Sequence, residues 1–335
     1  MTPRMTRRRL LLGAGTAGLG LLTGCGRLPW QAPAPPRAYH IGVLHPGSPS
    51  RHASMDEAFR EKLSELGYIE GQNITIEARY ADGQFARLPE LVGDLLRLPV
   101  DVIVANSAVV ARPAAQATST VPIVVMTGDP VGGGLVASYA HPGRNVTGLS
   151  NIAPELAGKR LELLKGAVPG ITRVAIIWNQ ADQTMGVEFG ETQVAADALG
   201  VQIQSLPVRE QSDLAPAYDA AVTGGADGIV VIADQFIVGS RSRLVALSAQ
   251  SRLPTISGDK HFAEAGGLLA YGPNMRELYS RAASFVDKIL RGAKPADLPV
   301  ERPMTFDFVV NFKTAQALGI IFPDEIMLQV TEVIQ

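Results

Sequence analysis

The chain has 335 residues, of which 46% are hydrophobic and 19% charged, and its formal net charge is −2. That length suits two domains, and the balance excludes both a disordered chain and a basic nucleic-acid binder. A single cysteine, Cys25, excludes an intrachain disulfide and a cysteine-built metal site.

The first residues read as an address. Arg4, Arg7, Arg8 and Arg9 form a basic start, and Leu10 to Gly24 carries no charge. This is the layout of a secretory signal over residues 1–24, with an apolar run shorter than the ~20 residues a bilayer span needs. Thr6-Arg7-Arg8-Arg9-Leu10-Leu11 resembles a twin-arginine export signal, and Leu22-Thr23-Gly24-Cys25 resembles the bacterial lipobox, whose cysteine becomes the lipidated first residue. The general secretory and twin-arginine routes both stay open, as do the inner and outer membrane. Residues 25–38 hold Pro29, Pro33, Pro35 and Pro36, and read as an extended spacer.

From residue 39 strands and helices alternate. Tyr39 to Leu44 reads as a strand. Met55, Ala58, Phe59, Leu63 and Leu66 lie at helical spacing before Gly67. Asn73 to Arg79 alternates, Leu88 to Leu96 is an amphipathic helix, and Val100 to Ala105 is a buried strand. An Ala-rich helix over residues 109–118 leads to a strand at Pro122 to Met126. The order then repeats, with strands at Arg173 to Trp178, Val201 to Leu206, Asp227 to Ile232 and Pro254 to Ser257. The helices between them span Val187 to Leu199, Leu214 to Val222 and Ser240 to Ser251. A strand at Leu268 to Tyr271, a helix through Leu278 and Leu290, and a strand at Thr305 to Val310 follow, with helices at Lys313 to Leu318 and Asp324 to Ile334. The pattern predicts an α/β fold of two doubly wound, Rossmann-like lobes around a ligand cleft. The late elements return to each lobe in turn, giving a multi-strand hinge. The first lobe is expected over 39–148 plus about 273–303, and the second over 149–272 plus about 304–335.

Several stretches carry a family resemblance: IGVLHPGSPS, FREKLSELGYIEGQNITIEARYADG, VPIVVMTGDPVGGGLVASYAHPGRNVTGLSN, VAIIWNQ and PVERPMTFDFVVNFKTAQALGI. With them the chain resembles the substrate-binding lipoproteins of ABC importers that have a type I periplasmic binding fold, in the group that includes tryptophan- and tyrosine-binding members. The resemblance implies capture of a ligand by lobe closure and delivery to a membrane permease and its ATPase.

In open parallel sheets ligands bind outside the carboxyl ends of the strands. The strand-end loops offer Ser48, Asn106, Ser107, Thr127 and Asp129 in the first lobe, and Asn179, Asp234, Phe236 and Asp259 in the second. Hydroxyls and helix-start N–H groups suit a carboxylate, an aspartate suits an ammonium, and Phe236 or Trp178 suits an apolar side chain. An amino acid is compatible with this set, and the resemblance implies an aromatic one. Plain readings stand beside these: Ser107 as a helix cap, Asp129 and Ser48 as turn residues, Trp178 as core, and His45 as a packing histidine rather than a metal ligand.

The glycines at 132 to 134 lack the Gly-Lys-Ser/Thr of a phosphate loop, and no G-x-S-x-G elbow is present. Neither a metal nor a cofactor is expected, and nothing supports nucleophilic catalysis. A sensor lipoprotein for a membrane receptor is the alternative to an importer component, and an exported α/β enzyme is a third reading.

Overall fold

The computed structural model describes residues 38–335, so the expected signal, Cys25 and most of the spacer lie outside the described residues. Within the compact unit Tyr39–Gln335 the chain builds two sheets. The first takes β1 (Tyr39–His45), β2 (Ile74–Tyr80), β3 (Val102–Ala105), β4 (Ile123–Thr127) and β5 (Val146–Ser150). They lie in the order β2-β1-β3-β4-β5, all parallel. Helices α1 (Pro49–Glu65), α2 (Leu88–Leu96) and α3 (Ala108–Ala117) make the crossovers. Because successive strand residues face opposite sides, Ile41, Val43, Val102 and Val104 pack on α1. Leu44, Ile103 and Ala105 pack on α2 and α3. Both faces are covered, which is why these strands read as unbroken apolar runs.

β5 is an edge strand in a stretch that reads from sequence only as a crossover. Val125 pairs with Gly148, whose φ is +142°, and a Cβ there would fall 2.0 Å from the Val125 carbonyl oxygen. Only glycine lets β4 and β5 approach this closely.

The second sheet follows α4 (Ala157–Ala167). It takes β6 (Arg173–Asn179), β7 (Gln202–Val208), β8 (Gly228–Val231), β9 (Thr255–Ser257), β10 (Leu269–Pro273), β11 (Phe306–Asn311) and β12 (Glu332–Ile334). Their order is β12-β11-β10-β9-β8-β6-β7, with β11 antiparallel to β10. The helices are α5 (Gln183–Leu199), α6 (Leu214–Thr223), α7 (Gln235–Gly239), α8 (Arg241–Ser251), α9 (Lys260–Glu264), α10 (Met275–Leu290), α11 (Phe312–Leu318) and α12 (Asp324–Met327). The terminal helix expected over Asp324 to Ile334 is thus cut to one turn. Its β-branched end leaves the helix, and Glu332, Val333 and Ile334 pair in parallel with Val309, Val310 and Asn311.

The chain passes between the lobes more than once. It leaves β5 for α4, and α10, inserted between β10 and β11, packs on α1 through Leu278, Phe285 and Val286. Two of these passages lie side by side. Ser150 N donates to the Glu301 carbonyl (2.8 Å), and Glu301 N donates to the Gly148 carbonyl (3.1 Å). At a third, Asn274 N donates to the Thr305 carbonyl (3.1 Å).

Candidate ligand cleft

A cavity of about 420 Å³ lies between the two sheets at the carboxyl ends of their strands. That volume falls within the ~300–1,000 Å³ typical of small-molecule sites. Of the residues expected from strand ends, Asn106, Asp234 and Asp259 line it. Asn106 follows β3. Asp234 follows β8 and caps α7, its Oδ1 accepting from Ile237 N at 2.7 Å. Asp259 follows β9 and caps α9, and its Oδ2 accepts from Arg241 Nε at 3.0 Å.

The other expected residues lie outside the cavity wall. Asn179 stands behind it, donating from Nδ2 to Asp234 Oδ2 at 2.5 Å and fixing that carboxylate. Thr127 is buried at the end of β4, where its carbonyl accepts from Asn151 N. Ser107 precedes α3 but makes no cap, and Ser48 Oγ meets only Ser50 Oγ at 3.1 Å. Asp129 closes a turn, its Oδ1 accepting from Val131 N (3.1 Å) and Gly132 N (2.8 Å). Of the glycine stretch, Gly132 N–H thus faces the chain's own carboxylate, while Gly133 N and Gly134 N donate to the carbonyls of Asp129 and Val131, so none is turned to an outside anion. The aromatic residues also turn away. Phe236 packs into the second lobe's core, and Trp178 stacks on Phe189 at 5.1 Å and donates to Ser205 Oγ.

What strand-end reasoning missed sits on helices. The first turns of α1 supply Arg51, His52 and Met55, α10 supplies Met275 and Tyr279, and α4 and α5 supply Arg160 and Glu188. Arg51 and His52 directly follow the loop after β1, and that adjacency is their one signal in the sequence. Arg160 and Glu188 are 3% and 1% exposed and form a buried ion pair. Arg160 also donates to the Tyr271 carbonyl at 2.9 Å, and Gly258 leaves room for its guanidinium, 3.0 Å from where a Cβ would stand. Burial pushes the Glu188 carboxyl up, against the opposing pull of Arg160.

Most charges in the wall are paired: Arg160 with Glu188, Arg241 with Asp259, Lys260 with Glu264 and Glu332, and Arg276 with Glu57 and Glu61. Among the described residues, Arg51 is the lysine or arginine of the wall with no carboxylate at ion-pair distance. Burial, then the repulsion of Arg241, lowers its pKa, while Asp259 and Asp234 pull the other way. Across from it Asp234 has no cation at that distance. Burial raises its carboxyl, opposed by the hydrogen bond from Asn179. Among the described residues the cleft therefore presents one cation, Arg51, and two carboxylates, Asp234 and Asp307, without an ion-pair partner. Asp307 accepts from Asn274 Nδ2 at 3.0 Å and pulls on Lys260, which leaves Asp234 as the unpaired carboxylate that acts on Arg51.

Behind Arg51 lies a buried polar cluster. His45 stacks on His52 at 4.4 Å and on Tyr80 at 4.8 Å, and its Nε2 lies 3.1 Å from Asp56 Oδ1 without the alignment of a straight hydrogen bond. Asn106 Nδ2 reaches His45 Nδ1 (3.2 Å), His52 Nδ1 (3.2 Å) and Tyr279 Oη (2.5 Å). Burial, then the neighbouring His45, lowers the His52 pKa to about 3, so its ring is neutral.

Comparison with known proteins matches this architecture. The tyrosine-binding protein of Clostridioides difficile (strain R20291) is 25% identical over 319 residues, covering 92% of this chain and 91% of that protein. The structure of an ABC domain from Streptococcus pneumonia in complex with L-Trp superposes with a TM-score of 0.83 at 26% identity, over 89% of this chain and all of that one. A ligand-free, open substrate-binding protein with adhesive properties from Clostridium difficile superposes with a TM-score of 0.70 at 24% identity, over the same shares. Residues 41–334 match the family of ABC transporter substrate binding proteins, and with two lobes, a cleft at the strand ends and this match, the chain belongs to that family.

Proposed function

We propose that the cleft captures an amino acid as its zwitterion, with the carboxylate on Arg51 and the ammonium on Asp234. The observation that carries this is the unmatched Arg51–Asp234 pair. A guanidinium fork suits a carboxylate, and a half-buried aspartate held in place by Asn179 suits an ammonium. Met55, Val238, Pro273 and Met275 supply an apolar wall, and thioethers pack well on ring edges. Such a wall suits an apolar or aromatic side-chain body, as do the tyrosine and tryptophan named for the relatives.

On this reading the protein binds without turnover and hands its ligand to an ABC permease. The first lobe comprises residues 39–148 plus about 273–303, and the second comprises 149–272 plus about 304–335. Residues 1–24 direct export, with the twin-arginine-like Thr6 to Leu11 as the signal, and a lipid on Cys25 holds the protein at the membrane. Mass spectrometry of Cys25 tests the anchor: a Cys25→Ser protein still held at the membrane would refute it.

The ligand reading is tested by calorimetry with an aromatic L-amino acid, its amide and its des-amino analogue. Each analogue should bind at least about 100-fold more weakly, since each strands one buried charge. Equal affinity for all three would overturn the zwitterion reading.

A further inference from the structure

Two polar atoms in the first lobe's wall have no partner in the protein. Both His52 Nε2 and Asn106 Oδ1 are buried without a hydrogen bond, and their residues, 5% and 8% exposed, line the cavity. Buried polar groups are almost always satisfied, so two orphans beside one cavity call for a partner from outside the chain.

The chemistry of that partner follows from the cluster. Asn106 Nδ2 can only donate, and its two hydrogens serve among His45 Nδ1, His52 Nδ1 and Tyr279 Oη, while the Tyr279 hydroxyl also reaches His52 Nδ1 at 3.5 Å, so that nitrogen faces donors. His52 Nδ1 is therefore an acceptor, and in a neutral ring the proton sits on Nε2. The wall thus offers one unused donor, His52 Nε2–H, and one unused acceptor, Asn106 Oδ1. A methyl group satisfies neither. A carboxylate takes the donor but meets the acceptor with like charge, and an ammonium takes only the acceptor. A hydroxyl or a carboxamide both gives and receives. Gly47 puts no side chain beside this wall: a Cβ there would stand 3.0 Å from His52 Nε2 and 3.4 Å from Arg51 Cδ.

We infer that His52 and Asn106 select an amino acid whose side chain carries a group able both to donate and to accept a hydrogen bond. This rests on the amino-acid reading above and narrows it. It makes His52 and Asn106 specificity-determining residues, distinct from Arg51 and Asp234, which hold the backbone charges common to all amino acids.

Calorimetry on the purified protein with matched probes tests it: L-tyrosine against L-phenylalanine, L-threonine against L-valine, and L-glutamine against L-glutamate. Within the pair that fits the cavity, the hydroxyl or carboxamide member should bind at least ten-fold tighter. Asn106→Leu should cost the preferred member at least ten-fold more than it costs the counterpart, so that the ratio between them falls to about one. Gly47→Ala, whose Cβ would stand 3.0 Å from His52 Nε2 and 3.4 Å from Arg51 Cδ, should narrow the same ratio. If amino acids bind but paired members bind equally, or if both variants weaken both members alike, this inference falls and the zwitterion reading stands. If no amino acid binds, the zwitterion reading falls and takes this inference with it.

Discussion

Arg51 Nη2 donates to the backbone carbonyl of Gln235 at 3.3 Å, joining α1 of the first lobe to α7 of the second. The same guanidinium that faces the ligand space therefore also touches the opposite lobe. A ligand shifts a conformational equilibrium only through contacts that differ between its states, and this side chain makes one. Arg51→Ala should weaken amino-acid binding about 100-fold, roughly 3 kcal/mol. Small-angle scattering should then show no compaction on adding ligand. Arg51→Lys should fall between, because it keeps the charge and loses the planar fork.

The Arg160–Glu188 pair should matter for stability. Removing one partner of a buried pair leaves the other charge stranded, at about 3–5 kcal/mol. Glu188→Gln should lower the urea midpoint accordingly. Replacing both residues together, as Arg160→Met with Glu188→Leu, should recover much of that loss. A double variant no more stable than Glu188→Gln would show that the pair does more than neutralise itself.

Acid should act through His52. In the unfolded chain its imidazole titrates near 6.5, whereas burial holds it near 3 in the folded protein. Between those values the unfolded state binds the extra proton, so stability falls as pH drops from 6.5 toward 3, by up to about 1.4 kcal/mol per pH unit. His45, Asp56 and Arg51 face the same ring and shape the window. Unfolding midpoints across this range should be flatter for His52→Gln than for the natural protein.

Asp129 and Asp234 both follow strand ends, yet their variants should behave differently. Asp129→Ala removes two turn hydrogen bonds and should lower stability by about 1 kcal/mol each, with ligand affinity unchanged. Asp234→Asn should cost affinity at least ten-fold, since the ammonium loses its counter-charge. Thermal unfolding and calorimetry on the two variants separate these outcomes.

Gly148→Ala should be among the most damaging single-methyl additions in the chain. The new Cβ would meet the β4 backbone at Val125, which cannot swing aside as a side chain can. We expect little soluble protein, measured by expression and circular dichroism, while alanine at Gly93 of α2, where a Cβ meets nothing within 4 Å, should be borne far better.

The fold was legible because parallel strands covered on both faces announce themselves as short apolar runs, and the two-lobe repeat is written in their order. The same topology made Asn106, Asp234 and Asp259 findable, since it carries every strand end to one edge. Arg160 and Glu188 were not findable. Charged residues on amphipathic helices read as solvent-facing, and only tertiary packing turns this pair inward. Phe236 misled for the converse reason: it follows β8, but its ring, like that of Trp178 near the end of β6, is spent on the second lobe's own packing. β12 was read as helix because three residues give too little pattern to tell a strand from a frayed turn.

The insertion of α10 has a consequence for how the protein is made. One face of the first sheet is closed by Leu278, Tyr279, Phe285 and Val286, which are synthesised long after β1 to β5. Until they emerge, Ile41, Val43, Val102 and Val104 have only α1 against them, so the lobe that begins first cannot be finished early. Such long-range closure slows folding. Until that closure, an apolar sheet face stands open to aggregation and to chaperones.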